Sequence, residues 1–239
     1  MVLEPVIGFI EWIISAIEFM WPRFPWLLYG ARITLYVATI AFFLGTGIGV
    51  FLGILRVSGI KVLEKIATAY IEVIRGTPLV VQILIVYFGI PIVTGIRFDP
   101  IMAGILTMGL NSGAYQAEIV RSGIKGIPTG QLEAAESLGL TYWQSMRYVI
   151  IPQAMRIVIP AFVNEYATIL KDTSLLIIIG VPELTRQGQY IAAWSFRYFE
   201  VYITVALIYF ILVLIVSRVA RLLEKKLMIP GLGVTGARL

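Results

Sequence analysis

Apolar residues are concentrated in long runs along this chain, and charged residues mark the ends of the runs. A bilayer core about 30 Å thick needs roughly 20 apolar residues per helix. Five runs meet this requirement, at residues 33–55, about 78–96, about 100–120, about 156–170 with a second apolar piece at 174–181, and about 198–216. The pattern predicts an all-α integral membrane protein with five transmembrane helices, whose two ends lie on opposite sides of the membrane.

Basic residues orient these helices, because Lys and Arg collect on the cytoplasmic side of a membrane. Of the 19 basic residues, 13 flank the runs on one side and 6 on the other, with Arg75 counted among the 13. The richer side is predicted to be cytoplasmic. This places the N-terminus outside, a tail at 227–239 inside, and the largest cytoplasmic segment at residues 121–153.

A further apolar stretch, residues 5–22, precedes the first run. Glu11 and Glu18 are seven residues apart and therefore share one helical face. The pattern predicts a helix that lies in the outer membrane interface, within an N-terminal segment 1–25. A short sixth transmembrane span is the alternative, and it would place both ends of the chain inside.

Composition supports a membrane protein and limits its chemistry. The residues A, V, I, L, M, F, W, Y and C make up 59% of the chain, and charged residues only 14%, against about 25% in soluble domains. The chain has no Cys and no His, which excludes disulfides and Cys-ligated metals and removes the usual general base. A transporter or channel component is therefore favoured over an enzyme, without a cofactor or metal of its own. The net charge of +5 is attributed to membrane orientation, not to nucleic-acid binding.

Three glycines in the first run recur every four residues, at Gly45, Gly49 and Gly53. This spacing lines one helical face with hydrogen atoms and allows another helix to approach closely. Packing within the subunit is favoured, and a subunit interface is the alternative.

The long cytoplasmic segment contains a predicted short helix at residues 131–138, because Glu, Ala, Leu and Gln favour helix. Thr129 is expected to cap its start. Gly139 is expected to end it in the left-handed conformation. The small residues Ala134 and Ala135 would leave a flat surface that fits another protein's groove, and a solvated loop helix is the alternative.

Several motifs in this order resemble those of ABC importer permeases for polar amino acids, the class that includes histidine, glutamine and arginine importers. The resemblance covers about residues 34–184. It rests on Glu133-Ala134-Ala135 with Gly139 and 149–152, on 74–79 with Gln82, on 114–124, on 152–156, on Asn164-Glu165 and on 171–175.

The resemblance implies a type I ABC importer permease fold in residues 26–226, in a prokaryotic inner or plasma membrane. It implies a coupling helix, 130–139, in which Glu133, Ala134, Ala135 and Gly139 dock on an ATPase. The implied partners are a second permease subunit, expected to be a second copy, two ATP-binding cassette subunits that bind ATP and Mg, and an extracytoplasmic solute-binding protein. The chain contains no G-x-x-x-x-G-K-[ST] phosphate loop, which agrees with hydrolysis on another polypeptide.

Polar residues at bilayer depth are costly and often serve the substrate. Counted at about 1.5 Å per helical residue, Asn111 lies roughly 15 Å from Arg121, and Glu165 roughly 14 Å from Arg156. Both therefore approach the midplane, where transporters bind solute. Hydrogen bonding between helices is the alternative role. The predicted substrate-binding residues are Asn111, Ser112, Tyr115, Asn164, Glu165, Thr168 and Gln82.

Among the 14 acidic residues, this count places only Glu165 near mid-membrane, and it places no basic residue at matching depth. An ionised carboxylate there needs a cation, hydrogen-bond donors or water. A basic amino acid such as arginine, lysine or histidine is the predicted partner. The alternatives are a protonated or hydrated Glu165 with a structural role, and a neutral substrate such as glutamine. Pro78, expected near a cytoplasmic helix end, can bend its helix and serve as a gate hinge.

Two functions of other classes remain as rivals. The first is an ion-coupled secondary carrier or a channel that acts alone, which five spans and the coupling-helix motif argue against. The second is a membrane enzyme. It is disfavoured because the sequence shows no paired catalytic carboxylates, no nucleophile with a base and no metal cluster.

Overall fold

The computed structural model describes residues 3–227, with side chains described from residue 6 onward. The predicted tail, apart from its first residue, lies outside the described residues. The helices are α1 (Leu3–Met20), α2 (Phe24–Leu55), α3 (Lys61–Arg75), α4 (Leu79–Leu84), α5 (Ile90–Thr94), α6 (Pro100–Lys125), α7 (Thr129–Ser137), α8 (Tyr142–Ser145), α9 (Ile151–Asp172), α10 (Leu184–Ser195) and α11 (Tyr198–Leu227). Short 3₁₀ or π-helical turns occupy Trp21–Arg23, Ile85–Gly89, Met146–Ile150 and Thr173–Ile179.

Helix α6 packs closely against α2. The three glycines of α2 that recur every four residues, Gly45, Gly49 and Gly53, make this close approach possible, and we call them the glycine stripe. A Cβ atom built on Gly49 would lie 2.5 Å from Gln116 Cβ, and one built on Gly53 would lie 2.6 Å from Val120 Cβ. Side chains larger than hydrogen could not fit at these positions without moving α6. The prediction that the stripe serves packing within the subunit is confirmed.

The second predicted span is broken in the middle. Helix α3 and the segment Leu79–Thr94 meet at an angle of 99°. The break occurs because Gly76 follows the last residue of α3, and because Pro78 lacks a backbone N–H and takes an extended conformation. The Tyr70 hydroxyl in α3 donates to the Leu110 carbonyl at 2.9 Å, so the break lies beside the middle of α6.

The break corrects two expectations. The span was predicted to begin near residue 78, with Arg75 as its cytoplasmic flank and Pro78 near a cytoplasmic helix end. In the structure α3 supplies the first half of this element, and Arg75 and Pro78 lie at the break beside the middle of α6. The charge of Arg75 misled the prediction because a charged residue inside an element resembles the end of that element.

Three helical segments are long and apolar enough to cross a membrane by length and composition: Val6–Leu55, Tyr142–Ile179 and Tyr198–Leu227. The bent pair of α3 and Leu79–Thr94 makes a fourth if it counts as one span. Helix α6 lies at the centre of the packing but is not in this group. The fold is all-helical over the described residues, as predicted, and the count of five transmembrane helices stays a prediction.

Helix α1 packs against the start of α11. The rings of Trp12 and Phe199 lie 5.5 Å apart, and the Arg197 guanidinium approaches the Ser15 hydroxyl at 3.4 Å. The apolar helical segment Val6–Leu55 contains 50 residues. At 1.5 Å per residue it measures roughly 75 Å, more than twice the thickness of a bilayer core. The interfacial placement of α1 stays a prediction.

Candidate functional site

A cavity of about 590 Å³ lies where the break between α3 and α4 faces α6 and α9. Its size falls within the range of about 300–1,000 Å³ that is usual for small-molecule sites. The cavity is lined by Arg75, Gly76, Thr77, Pro78, Leu79, Asn111, Tyr115, Glu165, Thr168 and Asp172. Short segments from three regions of the sequence therefore meet around one polar space.

Four of the seven predicted substrate-binding residues line this cavity: Asn111, Tyr115, Glu165 and Thr168. Ser112 instead lies behind the cavity wall, fully buried, and its hydroxyl donates to Glu165 Oε1 at 2.9 Å. Asn111 and Ser112 are consecutive residues of α6 and therefore cannot share one helical face.

Gln82 and Asn164 do not line the cavity either. The Asn111 amide donates to Gln82 Oε1 at 3.0 Å, and Gln82 Nε2 donates to the Ile74 carbonyl at 2.7 Å. This carbonyl belongs to the last turn of α3, where the helix break leaves it without a helical partner. Gln82 thus joins Asn111 to the break, and Asn164 is exposed on α9 without being part of the cavity lining.

Arg75 is the cavity residue that changes the electrostatics most, and sequence reasoning missed it. Its guanidinium carbon lies 5.1 Å from the centre of the Tyr115 ring, a cation–π contact that holds it at the cavity wall. The expectation that no basic residue lies at the depth of Glu165 is therefore wrong. The available signal was Gly76 and Pro78 directly after Arg75, a pair that ends one helix and starts another.

The charged groups of the cavity are not paired with each other. Among the described residues the ion pairs are Arg56–Glu118 and Arg121–Glu118, on the part of α6 beyond the cavity. Arg75, Glu165 and Asp172 form no ion pair within 4 Å in this part of the chain. One guanidinium and two carboxylates thus border a space that can hold a ligand with charges of both signs.

The predicted short helix is present as α7. Its bounds, Thr129–Ser137, agree with the predicted 131–138 to within two residues, and Gly139 takes the expected left-handed conformation with φ of 86°. The expected cap is wrong. Thr129 is the first helical residue, Pro128 precedes it, and no side chain caps the start.

One side of α7 faces the protein, and the other side is exposed. Ala135 is buried, and Glu133 and Ala134 are exposed. Beyond the helix, the Leu138 and Trp143 side chains are 85% and 79% exposed, respectively. Exposed apolar side chains rimmed by polar residues can mark a site of protein interaction. We call Glu133, Ala134, Leu138 and Trp143 the α7 surface.

A second buried carboxylate, Glu183, was also missed. Its side chain is 0% exposed and precedes α10. It accepts hydrogen bonds from the backbone N–H groups of Thr185 and Arg186 and from the Tyr209 hydroxyl, each at 2.8 Å. The depth estimate from the sequence gave Glu165 as the only acid near mid-membrane and overlooked Glu183. That estimate uses the rise per helical residue, so it gives no depth for a residue that lies between two helices.

Comparisons with known proteins agree on one family. Residues 45–229 match the model of the family described as "Binding-protein-dependent transport system inner membrane component". The chain is 43% identical to the glutamine transport system permease protein GlnP of Escherichia coli strain K12 over 211 residues, which are 88% of this chain and 96% of that protein. It is 38% identical to the arginine transport system permease protein ArtQ of Bacillus subtilis strain 168 over 206 residues, 86% and 94% of the two chains.

Solved structures give the same result. One described as "an amino acid ABC transporter with histidines" superposes with a TM-score of 0.83 at 42% identity, covering 87% of this chain and 96% of that chain. An inward-facing structure of the MetNI methionine ABC transporter superposes with a TM-score of 0.76 at 21% identity, covering 87% and 99%. The second likeness concerns the fold alone.

Proposed function

This chain belongs to the family of binding-protein-dependent transport system inner membrane components, and on that basis we propose that its charged cavity binds a basic amino acid during import. The chain is a permease subunit of an amino acid ABC importer. It is a transport component and not an enzyme, and the ATPase is a separate subunit.

The charges around the cavity carry the proposal. Every amino acid has an α-carboxylate and an α-ammonium group. The Arg75 guanidinium is suited to the carboxylate, because guanidinium and carboxylate form two parallel hydrogen bonds. In this proposal Asp172 faces the ammonium group and Glu165 faces a cationic side chain. Two carboxylates against one guanidinium leave one negative charge, which a substrate with net charge +1 neutralises.

Uncharged residues of the cavity complete the proposed binding site. Asn111 contributes an amide whose position is held by Gln82, and Thr168 contributes a hydroxyl from the next turn of α9 after Glu165. The Tyr115 ring offers a face to a cation as well as to Arg75. The helix break places these groups near the middle of α6, and transporters commonly bind solute at such discontinuous helices.

The α7 surface is the proposed contact with the ATPase. We place it on the cytoplasmic side of a prokaryotic inner or plasma membrane, with the N-terminus outside. Two permease subunits, expected to be identical, would form the pathway. Two ATP-binding cassette subunits would bind ATP and Mg below them, and a solute-binding protein would deliver the amino acid from outside. Closure of the ATPase dimer would then push α7 and alter access to the cavity.

A neutral polar amino acid such as glutamine is the second candidate substrate. The 43% identity to a glutamine transport system permease favours it, and so does the Asn111 amide in the cavity wall. The two candidates differ in one respect that can be measured. A basic substrate needs the negative charge of Glu165, whereas glutamine does not.

The test is direct binding of amino acids to the purified permease–ATPase complex. The solute-binding protein is left out, because it would impose its own selectivity. We expect arginine and lysine to bind more tightly than glutamine. Glu165→Gln should weaken arginine binding by roughly 10- to 100-fold, since a hydrogen bond to a charged group contributes about 1.5–3 kcal/mol. Glutamine binding should change little.

Glu224→Gln is the matched control, because it removes an exposed carboxylate at the far end of α11. It should leave both affinities unchanged. An equal loss of arginine and glutamine binding in Glu165→Gln, or no loss of either, would overturn the assignment of a basic substrate.

A further inference from the structure

Gln116 is a fully buried polar residue of α6 that does not line the cavity. Its side chain is 0% exposed and lies at the close contact between α6 and α2. Its Nε2 is 2.9 Å from the Ser112 hydroxyl oxygen, and Ser112 in turn contacts Glu165. A hydrogen-bonded chain therefore runs from the interior of the helix packing to the carboxylate at the cavity.

Gln116, at the buried end of these hydrogen bonds, determines which group donates and which accepts. Gln116 Nε2 also lies 3.3 Å from the Phe42 carbonyl oxygen, which can only accept. The amide nitrogen must therefore face both Phe42 and Ser112, and it donates one proton to each. On its other side the Thr46 hydroxyl lies 2.8 Å from Gln116 Oε1 and 2.9 Å from the Phe42 carbonyl oxygen, and its single proton serves one of these two acceptors. Flipping the amide would turn its oxygen toward the Phe42 carbonyl and repel it.

The consequence for Ser112 follows from the number of its protons. A hydroxyl has one proton to donate and can accept as well. Because Ser112 accepts from Gln116, its single proton points to Glu165 Oε1. Glu165 Oε1 must then act as an acceptor, which suits an ionised carboxylate and disfavours a proton on that oxygen.

We propose that Gln116 is a positioning residue for substrate selectivity: it fixes the direction of the Ser112–Glu165 hydrogen bond, so that Oε1 accepts from Ser112 and carries no proton, and the carboxyl group faces the cavity as an acceptor for a cationic amino acid. This inference rests on the proposed function, because it gives Glu165 its selective role. It also gives the glycine stripe a further purpose, since the missing Cβ of Gly49 leaves the space that Gln116 occupies.

A double-mutant cycle tests the proposal on the purified permease–ATPase complex. The variants are Gln116→Met, which keeps the volume but removes the donor, Ser112→Ala, and both together. The measured quantity is the ratio of the glutamine to the arginine dissociation constant. We expect each single variant to lower this ratio about tenfold, the equivalent of one hydrogen bond to a charged group.

The double variant decides between a positioning role and a structural one. If Gln116 acts through Ser112, the double variant shows no further loss beyond the single variants. Losses that multiply to roughly 100-fold, or an unchanged ratio in Gln116→Met, would overturn the proposal. Glu165→Gln is measured alongside. If it too leaves the ratio unchanged, the proposed function fails, and if it alone lowers the ratio, only the role of Gln116 fails.

A pair of glycine variants gives a second test of the proposal, in which Gln116 itself is not substituted. A Cβ at Gly49 would press on Gln116 Cβ at 2.5 Å, and one at Gly53 would press on Val120 Cβ at 2.6 Å. Gly49→Ala and Gly53→Ala therefore disturb the same helix contact to a similar degree, and similar decreases in thermal stability are expected. Only Gly49→Ala should lower the ratio of the glutamine to the arginine dissociation constant. An equal change of this ratio in the two glycine variants would contradict the proposal.

Discussion

Two carboxylates inside the helix packing, the half-buried Glu165 and the fully buried Glu183, are surrounded in opposite ways. Glu183 accepts from two backbone N–H groups at the start of α10 and from the Tyr209 hydroxyl, in a place closed to solvent. Glu165 accepts from the Ser112 hydroxyl and otherwise borders an open cavity. Glu183 thus receives its hydrogen-bond donors from within the protein, whereas Glu165 has acceptor positions that no donor of the described residues fills.

This difference separates a structural acid from a functional one. Burial of a carboxylate is unfavourable unless hydrogen bonds or a cation compensate it. At Glu183 the compensation is complete within the chain, so it is expected to stabilise the joint between α10 and α11. At Glu165 the compensation is incomplete, and Arg75 lies on the same cavity without forming an ion pair within 4 Å. The number of donors that reach each acid, more than its burial, indicates its role.

The largest effect is expected from Glu183→Ala. It leaves the N–H groups of Thr185 and Arg186 and the Tyr209 hydroxyl without their acceptor in a buried place, which should destabilise the protein by about 3 kcal/mol or more. Thermal unfolding of the purified complex measures this. The ratio of the glutamine to the arginine dissociation constant should stay unchanged. A change in that ratio without a loss of stability would show that Glu183 serves substrate selectivity instead.

The converse is expected for Glu165→Gln. Its amide oxygen can still accept from Ser112, so the unfolding temperature should stay close to that of the unchanged protein. Arginine selectivity should fall by roughly 10- to 100-fold. If the variant unfolded as readily as Glu183→Ala, the two acids would not differ in role, and the comparison would fail.

Arg75→Gln extends the comparison to the cation of the cavity. Loss of the guanidinium should weaken arginine and glutamine alike, by about tenfold, because both ligands carry the same α-carboxylate. Arginine amide, which lacks that carboxylate, is the matched ligand and should lose little affinity. Calorimetric binding to the permease–ATPase complex gives all three values. A loss confined to one amino acid would contradict the role in carboxylate binding.

The smallest effect is expected from Tyr209→Phe. It removes one of the three donors to Glu183 and leaves the two backbone donors in place. A loss of about 1 kcal/mol in unfolding free energy is expected, clearly less than for Glu183→Ala. Amino acid binding should be unchanged. A larger loss than that of Glu183→Ala would mean that the hydroxyl serves Thr185 or Thr173, which also lie near it, more than it serves the acid.

The short helix α7 shows how far the sequence could be interpreted without the structure. Its bounds, its left-handed Gly139 and the helical class of the chain follow from residue types that act locally. The role of the glycine stripe in helix packing could also be predicted from the sequence, because its spacing of four residues places it on one face of any helix. Four of the seven predicted substrate-binding residues line the cavity, because counting depth from Arg121 and Arg156 reached the correct stretches of α6 and α9. Depth alone could not separate the residues that face the cavity from those beside it.

The helix break shows where such reasoning stopped. Counting depth from charged flanks assumes a continuous helix, and Arg75 was therefore placed at a membrane edge. Gly76 and Pro78 instead end one helix and start another at 99° beside the middle of α6, which brings Arg75 to the cavity. Gln82 and Ser112 were read as cavity residues, but they hold cavity residues from behind, a distinction that depends on side-chain direction across three helices.

The sequence by itself determined the membrane class, the family motifs, the approximate bounds of α7 and the candidate acid Glu165, because these depend on composition and on short-range repeats. Only the tertiary structure decided which charges share a space. It placed Arg75 with Glu165 and Asp172, brought the Tyr209 hydroxyl to Glu183, and brought the Ser112 hydroxyl to Glu165. Hydrogen bonds and charges act over a few ångströms in space, and residues such as Ser112 and Glu165, which are 53 positions apart in the chain, come within that range only when the helices pack.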